Sequence, residues 1–177
     1  MANNGIVGTY VPSALTVVIS HRATNQTVVL GGFAPDTIVS IERPDPTWES
    51  NIGTHGTHER IHRMDKTIRA TISLQQTSES NDFLSAILAY DEKDLRGGGL
   101  FTCTIADKSG RSAAYSDQAY VIQPSTYEFG QAASTRDWMI IMPYAEQHIG
   151  GNGRMSQESI DKLAQLGITI DQDWLIN

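Results

Sequence analysis

The chain has 177 residues, a length that fits one domain with short extensions. Hydrophobic residues make up 40% and charged residues 19%, a balance that provides a core and excludes an intrinsically disordered chain. The net charge of −7 disfavours proteins that hold nucleic acid or anionic membranes by electrostatic attraction.

Cysteine usage and the N-terminus indicate where such a protein is made. The single cysteine, Cys103, cannot form an internal disulfide, so a disulfide-stapled secreted domain is excluded. Residues 1–5 lack the charged segment and apolar stretch of a signal peptide, and no apolar run is long enough to span a bilayer. We expect a protein that stays in the cytoplasm or in something assembled there.

The first part of the chain predicts three short strands. Residues 14–20 are rich in β-branched side chains, and residues 27–30 return after a polar turn to make a hairpin. Glycine and proline then mark a turn before a third strand at residues 38–43. Ser40 and Glu42 lie on one face of that strand, and apolar residues lie on the other.

Residues 44–66 interrupt this pattern. They contain two prolines, two glycines and three histidines but few large apolar side chains. Loops of this length are uncommon in small domains and usually carry function. The sequence predicts an extended loop that is mobile in a free subunit, with Trp48 and Ile52 as its anchors.

Residues 67–75 give the clearest strand, because polar and apolar side chains alternate along it. Its polar face consists of Thr67, Arg69, Thr71 and Ser73. Residues 78–90 predict an amphipathic helix, and three glycines at 97–99 end that segment. Strands follow at residues 100–107, in a partner after the turn at 107–110, at 119–123 and at 136–142.

The composition changes after this body, so we divide the chain into a domain at residues 1–149 and an extension at residues 150–177. Glycines at 150–153 predict a flexible joint, and Ser156 is a suitable N-cap for a short helix at 157–166. The extension is either a docking arm or an ordinary helix folded on its own domain. Strands, one central helix and further strands predict a mainly β, α+β or barrel-like fold.

One motif resembles a catalytic centre. His58, Glu59 and His62 fit the H-E-x-x-H pattern, in which a helix places two histidines on one face to bind zinc. Here glycine and threonine precede the motif, a strand follows within five residues, and a charged arginine occupies its middle. We therefore interpret it as part of a histidine-rich polar loop, with a zinc hydrolase as a distant alternative.

No other residue pattern indicates catalysis. The triple glycine lacks the Lys-Ser/Thr pair of a phosphate-binding loop, and Cys103 lies on an apolar strand face as a core residue would. The sequence predicts no enzyme, no cofactor and no metal site.

Several segments together resemble the tail-tube proteins of long-tailed bacteriophages, with contractile-tailed phages the favoured kind. Their order and spacing carry the resemblance over residues 15–143. The segments are residues 28–33 (VVLGGF), 36–41 (DTIVSI), 53–56 (GTHG), 67–74 (TIRATISL), 77–84 (TSESNDFL), 105–107 (IAD) with Gly110, and 137–140 (DWMI).

The resemblance implies a β-sandwich or barrel with one flanking helix, built into hexameric rings that stack into a tube for DNA. The polar strand faces would then line the channel, with Ser40, Glu42, Thr67, Arg69, Thr71 and Ser73 as candidates. The loop at residues 44–66 would reach neighbouring subunits through Trp48, Ile52, His55, His58 and His62.

The same resemblance implies the partners and the location. The protein would bind copies of itself and the tail sheath, tape-measure and baseplate proteins, while DNA passes without specific binding and no membrane is involved. It would reside in the virion tail after assembly in the host bacterial cytoplasm. A type VI secretion tube protein, which shares the fold, and a single-ring tail-terminator or head-completion protein are the alternatives.

Overall fold

Eight antiparallel strands join into one continuous sheet in the computed structural model, which describes residues 7–176. The strands of the chain are β1 (Leu15–His21), β2 (Gln26–Val29), β3 (Val39–Glu42), β4 (Trp48–Ile52), β5 (His58–His62), β6 (Ile68–Gln75), β7 (Phe101–Asp107), β8 (Ala113–Gln123), β9 (Thr135–Met142) and β10 (Glu146–His148). The helices are α1 (Ser80–Lys93) and α2 (Gln157–Gln165). The sheet order is β2-β1-β7-β8-β9-β6-β3, with β10 beside β8, whereas β4 and β5 form a separate hairpin.

The long strand β8 connects two halves of the sheet. Its residues 113–119 pair with β7, and its residues 120–123 pair with β9, with a register shift in each ladder. A bulged strand bends and twists more strongly, which allows one strand to serve two layers. The predicted partner strand and the predicted strand at 119–123 are therefore one element. The predicted mainly β fold, a sandwich with a flanking helix, is confirmed.

The core lies between the two halves and follows from alternation along each strand. In one half, Ile72 of β6 lies opposite Trp138 of β9, and both are buried. In the other half, Ile19 of β1 lies opposite Cys103 of β7, and both are fully buried. Cys103 is thus the core residue that the sequence predicts. Its burial also raises the pKa of the thiol to about 12.

The helix α1 covers this core with its apolar face. Leu84 and Ile87 are buried, and Phe83 and Leu88 pack partly buried against the same cluster. The predicted helix and its apolar stripe are confirmed, although the helix starts two residues later and ends three residues later than expected.

Two glycines that follow β2 fix how the start of α1 meets the sheet. The hydroxyls of Ser78 and Ser80 both donate to the carbonyl of Gly31, at 2.6 and 3.1 Å, and the Gly31 N–H donates back to Ser80. The next residue, Gly32, has a φ of +67°, and a Cβ there would lie 2.7 Å from the Ser78 side chain. Two segments that are 46 residues apart in sequence thus meet through a position that excludes every side chain.

The glycine-rich start of the C-terminal extension is fastened to the sandwich. The Asn152 amide donates to Asp107 at 3.0 Å and to the Ser109 carbonyl at 3.1 Å, and Arg111 donates to the Gly153 carbonyl at 2.7 Å. The segment predicted as a flexible joint is therefore hydrogen-bonded to the turn after β7 in this structure.

The rest of the extension closes on itself. Met155 and Leu175 form a parallel bridge, α2 lies between them, and Ile160 of α2 is buried. Ser156 caps α2 as predicted, accepting a hydrogen bond from the Ser159 N–H. These contacts lie within the extension, so the choice between a docking arm and a helix folded on its own domain stays a prediction.

We expect Gly32→Ala to lower the free energy of unfolding by about 1–3 kcal/mol, because a side chain there combines an unfavourable φ with a collision against Ser78. The matched control is Gly31→Ala, where an added Cβ meets no atom within 4 Å and the change should stay within about 0.5 kcal/mol. Urea denaturation of both variants provides the measurement. Equal stabilities would show that the helix start does not depend on this contact.

Candidate assembly surfaces

Residues 43–66, which we call the arm, project from the sandwich as a hairpin. The sequence predicts a loop here, and that prediction is wrong in its secondary structure: β4 and β5 pair in register from Trp48 opposite His62 to Ile52 opposite His58. Nothing in the sequence indicates β5, because the residues before it, which include two glycines and two threonines, are typical of a loop. No residue of the arm is buried.

One face of the arm, the Trp48 face, is aromatic and basic. The Arg60 guanidinium lies 3.4 Å from the centre of the Trp48 ring, and the His62 ring lies 4.7 Å from it. Ile52 and His58 pair at the tip of the same face, and Ile52 is 62% exposed. Four of the five predicted contact residues therefore share one surface, while His55 lies in the turn.

The opposite face, the Glu59 face, carries carboxylates as well as a basic side chain: Glu49, Glu59 and Arg63. Arg63 forms an ion pair with Glu49, and the hydrogen bond and charge of that carboxylate raise the pKa of Arg63 above its ordinary value. Ile61 lies half-exposed opposite Glu49. Glu59 forms no ion pair within residues 7–176, so it is a free carboxylate near the arm's tip.

The H-E-x-x-H residues lie on β5 and not on a helix. Four residues along a strand span about 13 Å, so His58 and His62 are too far apart to bind one zinc ion through this motif. Within the described residues 7–176, no group of three or more histidine, cysteine or acidic side chains could hold a metal. The motif instead supplies ring and carboxylate groups to both faces of the arm.

The second surface is the polar face of the β3-β6-β9 layer, which we call the polar sheet face. Ser40 lies opposite Thr71, and Arg69 donates to Glu42 at 2.8 Å, so four of the predicted channel residues form two cross-strand pairs. Ser73 completes the row and donates to Asp137 of β9 at 2.6 Å.

Thr67 stands at the base of the arm, where the chain enters β6. Its hydroxyl and its N–H both donate to Asp65, at 2.6 and 2.8 Å, and these hydrogen bonds lower the pKa of that carboxyl. The sixth predicted channel residue thus lies at the edge of the polar sheet face and not within a cross-strand pair.

Sequence reasoning missed the part of the polar sheet face that β9 and β8 provide. Thr71 lies opposite Met139, and Arg69 lies opposite Ile141, which in turn lies opposite Tyr120 of β8. The alternation of β9 puts Asp137, Met139 and Ile141 on one side, but only the strand order shows that this side continues the row from β6. The face is therefore polar at β3 and β6 and more apolar towards β8.

Both ends of the sheet order are open. The strands β2 and β3 have four residues each, and no further strand of the described part of the chain pairs with their outer edges. Unpaired edges of this kind are sites where another chain can add to a sheet.

A relative from Pseudomonas phage KPP10, named structural protein ORF10, is 39% identical to this chain over 171 residues. The match covers 97% of this chain and 99% of the relative. The chain belongs to this family of bacteriophage structural proteins. It is accordingly a structural component of a phage virion, as the resemblance in the sequence implies at this coarser level.

Neither a family model nor a membrane-spanning helix in the described part of the chain adds to this assignment. No protein-family model matches the chain. None of the helices formed by residues 7–176 is both long enough and apolar enough to span a bilayer.

We expect that replacing both His58 and His62 with alanine causes no zinc-dependent loss of the fold or of particle formation. The reason is that β5 separates the two rings by about 13 Å. Thermal unfolding with and without a chelator, together with metal analysis of the purified protein, checks this. Stoichiometric zinc in the native protein and unfolding by the chelator would contradict it.

Proposed function

We propose that this phage structural protein is the tail-tube subunit, which forms hexameric rings that stack into the tube through which DNA leaves the capsid. The single observation that carries the proposal is the arm: 24 residues that extend from a well-packed sandwich without burying one side chain. The near full-length relative with a structural role supports it, and so does the resemblance of the body to tail-tube proteins.

An arm of this composition needs a neighbour. A lone two-stranded hairpin is at best marginally stable in water, because it has no sheet face or helix to pack against. This one also exposes Trp48, Ile52, Ile61 and Met64. Contact with other subunits would bury these side chains and fix the hairpin, which is what stacking between rings requires.

The open edges suit ring closure. If the outer edge of β2 or β3 pairs with a strand of the adjacent subunit, six copies close on themselves and the exposed edges disappear. A ring built in this way places the polar sheet face on a continuous wall. That wall presents the Glu42–Arg69 ion pair and the carboxylate of Asp137, so it is hydrated and slightly acidic.

Net charge supports passage of DNA without binding. Six copies of a chain with a charge of −7 carry about −42 per ring at neutral pH. Such a ring repels the phosphate backbone instead of retaining it. The sheath, tape-measure and baseplate proteins are the partners that a tail tube would meet, and its location would be the virion tail.

The phage origin of the relative favours a virion part over a secretion tube. The remaining structural alternative is a tail terminator, which forms one ring that does not stack. Electron micrographs would then show single rings and no tubes.

Negative-stain electron microscopy of the purified protein at high concentration tests the proposal. We expect rings with six-fold symmetry and tubes made of stacked rings. Single rings at every concentration would identify a terminator instead. A monomer by light scattering across a wide range of concentration and salt would overturn the proposal.

Shortening the arm should separate ring formation from stacking. Replacing residues 50–60 with Asn-Gly keeps Glu49 opposite Ile61 and closes this hydrogen-bonded pair with a two-residue turn. Because no deleted residue is buried, the unfolding free energy of the body should change by no more than about 0.5 kcal/mol.

We expect this variant to form rings but no tubes. A matched control replaces Thr54 in the turn with glycine, which leaves both strands and His55 intact and should leave tubes unchanged. Long tubes from the shortened arm would show that the arm does not mediate stacking.

A further inference from the structure

The loop between β8 and β9, residues 124–134, carries a second exposed aromatic surface. Phe129 is 81% exposed and Tyr127 is 64% exposed, and their rings meet edge to face with centres 5.7 Å apart. Exposed aromatic rings of this kind are enriched at the centres of protein interfaces. We call residues 124–134 the aromatic loop.

Beneath the aromatic loop lies a buried guanidinium without a carboxylate. Arg136 is only 8% exposed, and no acidic side chain of residues 7–176 lies within ion-pair distance of it. Its Nη1 donates to the Ser134 hydroxyl at 2.5 Å and to the Thr135 carbonyl at 3.3 Å. Its carbon centre lies 5.7 Å from the Tyr127 ring and 5.9 Å from the Phe129 ring.

The other Arg136 nitrogens, Nε and Nη2, make no hydrogen bond within the described chain, and Arg136 lines a cavity of about 170 Å³. The walls of this cavity include Trp138, Tyr127, Pro124 and Asn81. A buried cation gains most from a partner that is both charged and hydrogen-bonded to it. The cavity therefore offers a positive charge to a carboxylate, and none of residues 7–176 supplies one within ion-pair distance.

The aromatic loop and the arm lie at opposite ends of the same layer. The arm enters β6 just before Ile68, which lies opposite Met142 of β9. The aromatic loop enters β9 just before Thr135, which lies opposite Gln75 at the far end of β6. Seven residue steps along a strand separate these ends by about 23 Å.

Two different surfaces at opposite ends are the requirement for head-to-tail assembly, in which each copy binds the next by the same contact. The arm's Glu59 face has the complementary chemistry. Glu59 is a carboxylate without an ion pair, and Ile61 beside it is half-exposed. Extended over the nine steps from Arg43 to Ile52, the arm reaches at most about 30 Å from the body.

We propose that the arm of one subunit docks on the aromatic loop of a second copy in the next ring, with Glu59 paired to Arg136 and Ile61 packed against Phe129. This inference rests on the proposed tube function and identifies the receiving surface for stacking.

Cysteine pairing provides a direct test, because the native Cys103 is fully buried and does not interfere. A full-length chain carrying both Asn51→Cys and Gln131→Cys is assembled and oxidised. Asn51 lies opposite Glu59 on the same arm face, and Gln131 is an exposed residue of the aromatic loop, so the proposed docking side chains stay in place. We expect a ladder of covalent multimers on a non-reducing gel, since each copy links to the next through one thiol from each end. Reduction should collapse the ladder to monomer.

The control chain carries Glu92→Cys with Gln131→Cys. Glu92 is an exposed residue of α1 without an ion pair among the described residues, so this chain should assemble and give no ladder. Glu59→Gln and Glu92→Gln supply a second measurement. The first should raise the protein concentration needed for tubes by about tenfold or more, and the second should not change it.

The outcomes distinguish this inference from the function on which it rests. Tubes without a ladder, or tubes whose formation is unchanged by Glu59→Gln, would overturn the receiving surface and leave the tube function standing. Neither rings nor tubes from the unmodified protein would overturn both. A ladder that stops at dimers would indicate a symmetric contact and contradict head-to-tail docking.

Discussion

The hydrogen bonding of β8 to strands in both halves of the sheet is the constraint on which the architecture depends. Its first residues hold β7 and β10, and its last residues hold β9, so one bent strand sets the angle between the two layers. The core closes between those layers, and α1 seals it. The strands β9 and β6 come next to β8 in the sheet order, so the bend of β8 also fixes the direction in which the polar sheet face points. It likewise fixes the positions of the arm and the aromatic loop at the two ends of that layer.

The chain separates self-sufficient parts from parts that need a partner. The sandwich buries a core of apolar residues. It accepts a hydrogen bond from Ser78, at the start of α1, on the Gly31 carbonyl, and it holds the C-terminal extension through the hydrogen bond from Asn152 to Asp107. The arm and the aromatic loop do the reverse, since they expose large apolar side chains. Among residues 7–176, neither Glu59 of the arm nor Arg136 of β9, beneath the loop, forms an ion pair. Stability and assembly are thus assigned to different residues, as expected for a virion part that folds before it polymerises.

Alternation along the strands was enough to predict most of the sandwich, because a strand with one buried face repeats every two residues. It identified the polar row from Thr67 to Ser73 and the apolar face of α1. The hairpin in the arm escaped prediction since neither of its faces is buried, so no apolar alternation marks β4 or β5. Asp137 and Arg136 escaped for another reason: their roles depend on strand order and on a cavity, which are properties of the tertiary structure.

The arm leaves the body at one end only, and this gives any stack of such subunits a direction. In a tube assembled as proposed, one terminal ring would display free hairpins and the other would display unoccupied aromatic loops. Because those two ends would be chemically distinct, a protein that initiates the stack and a protein that caps it would have to recognise different surfaces. The direction of growth would then follow from the subunit itself, without any change in its conformation.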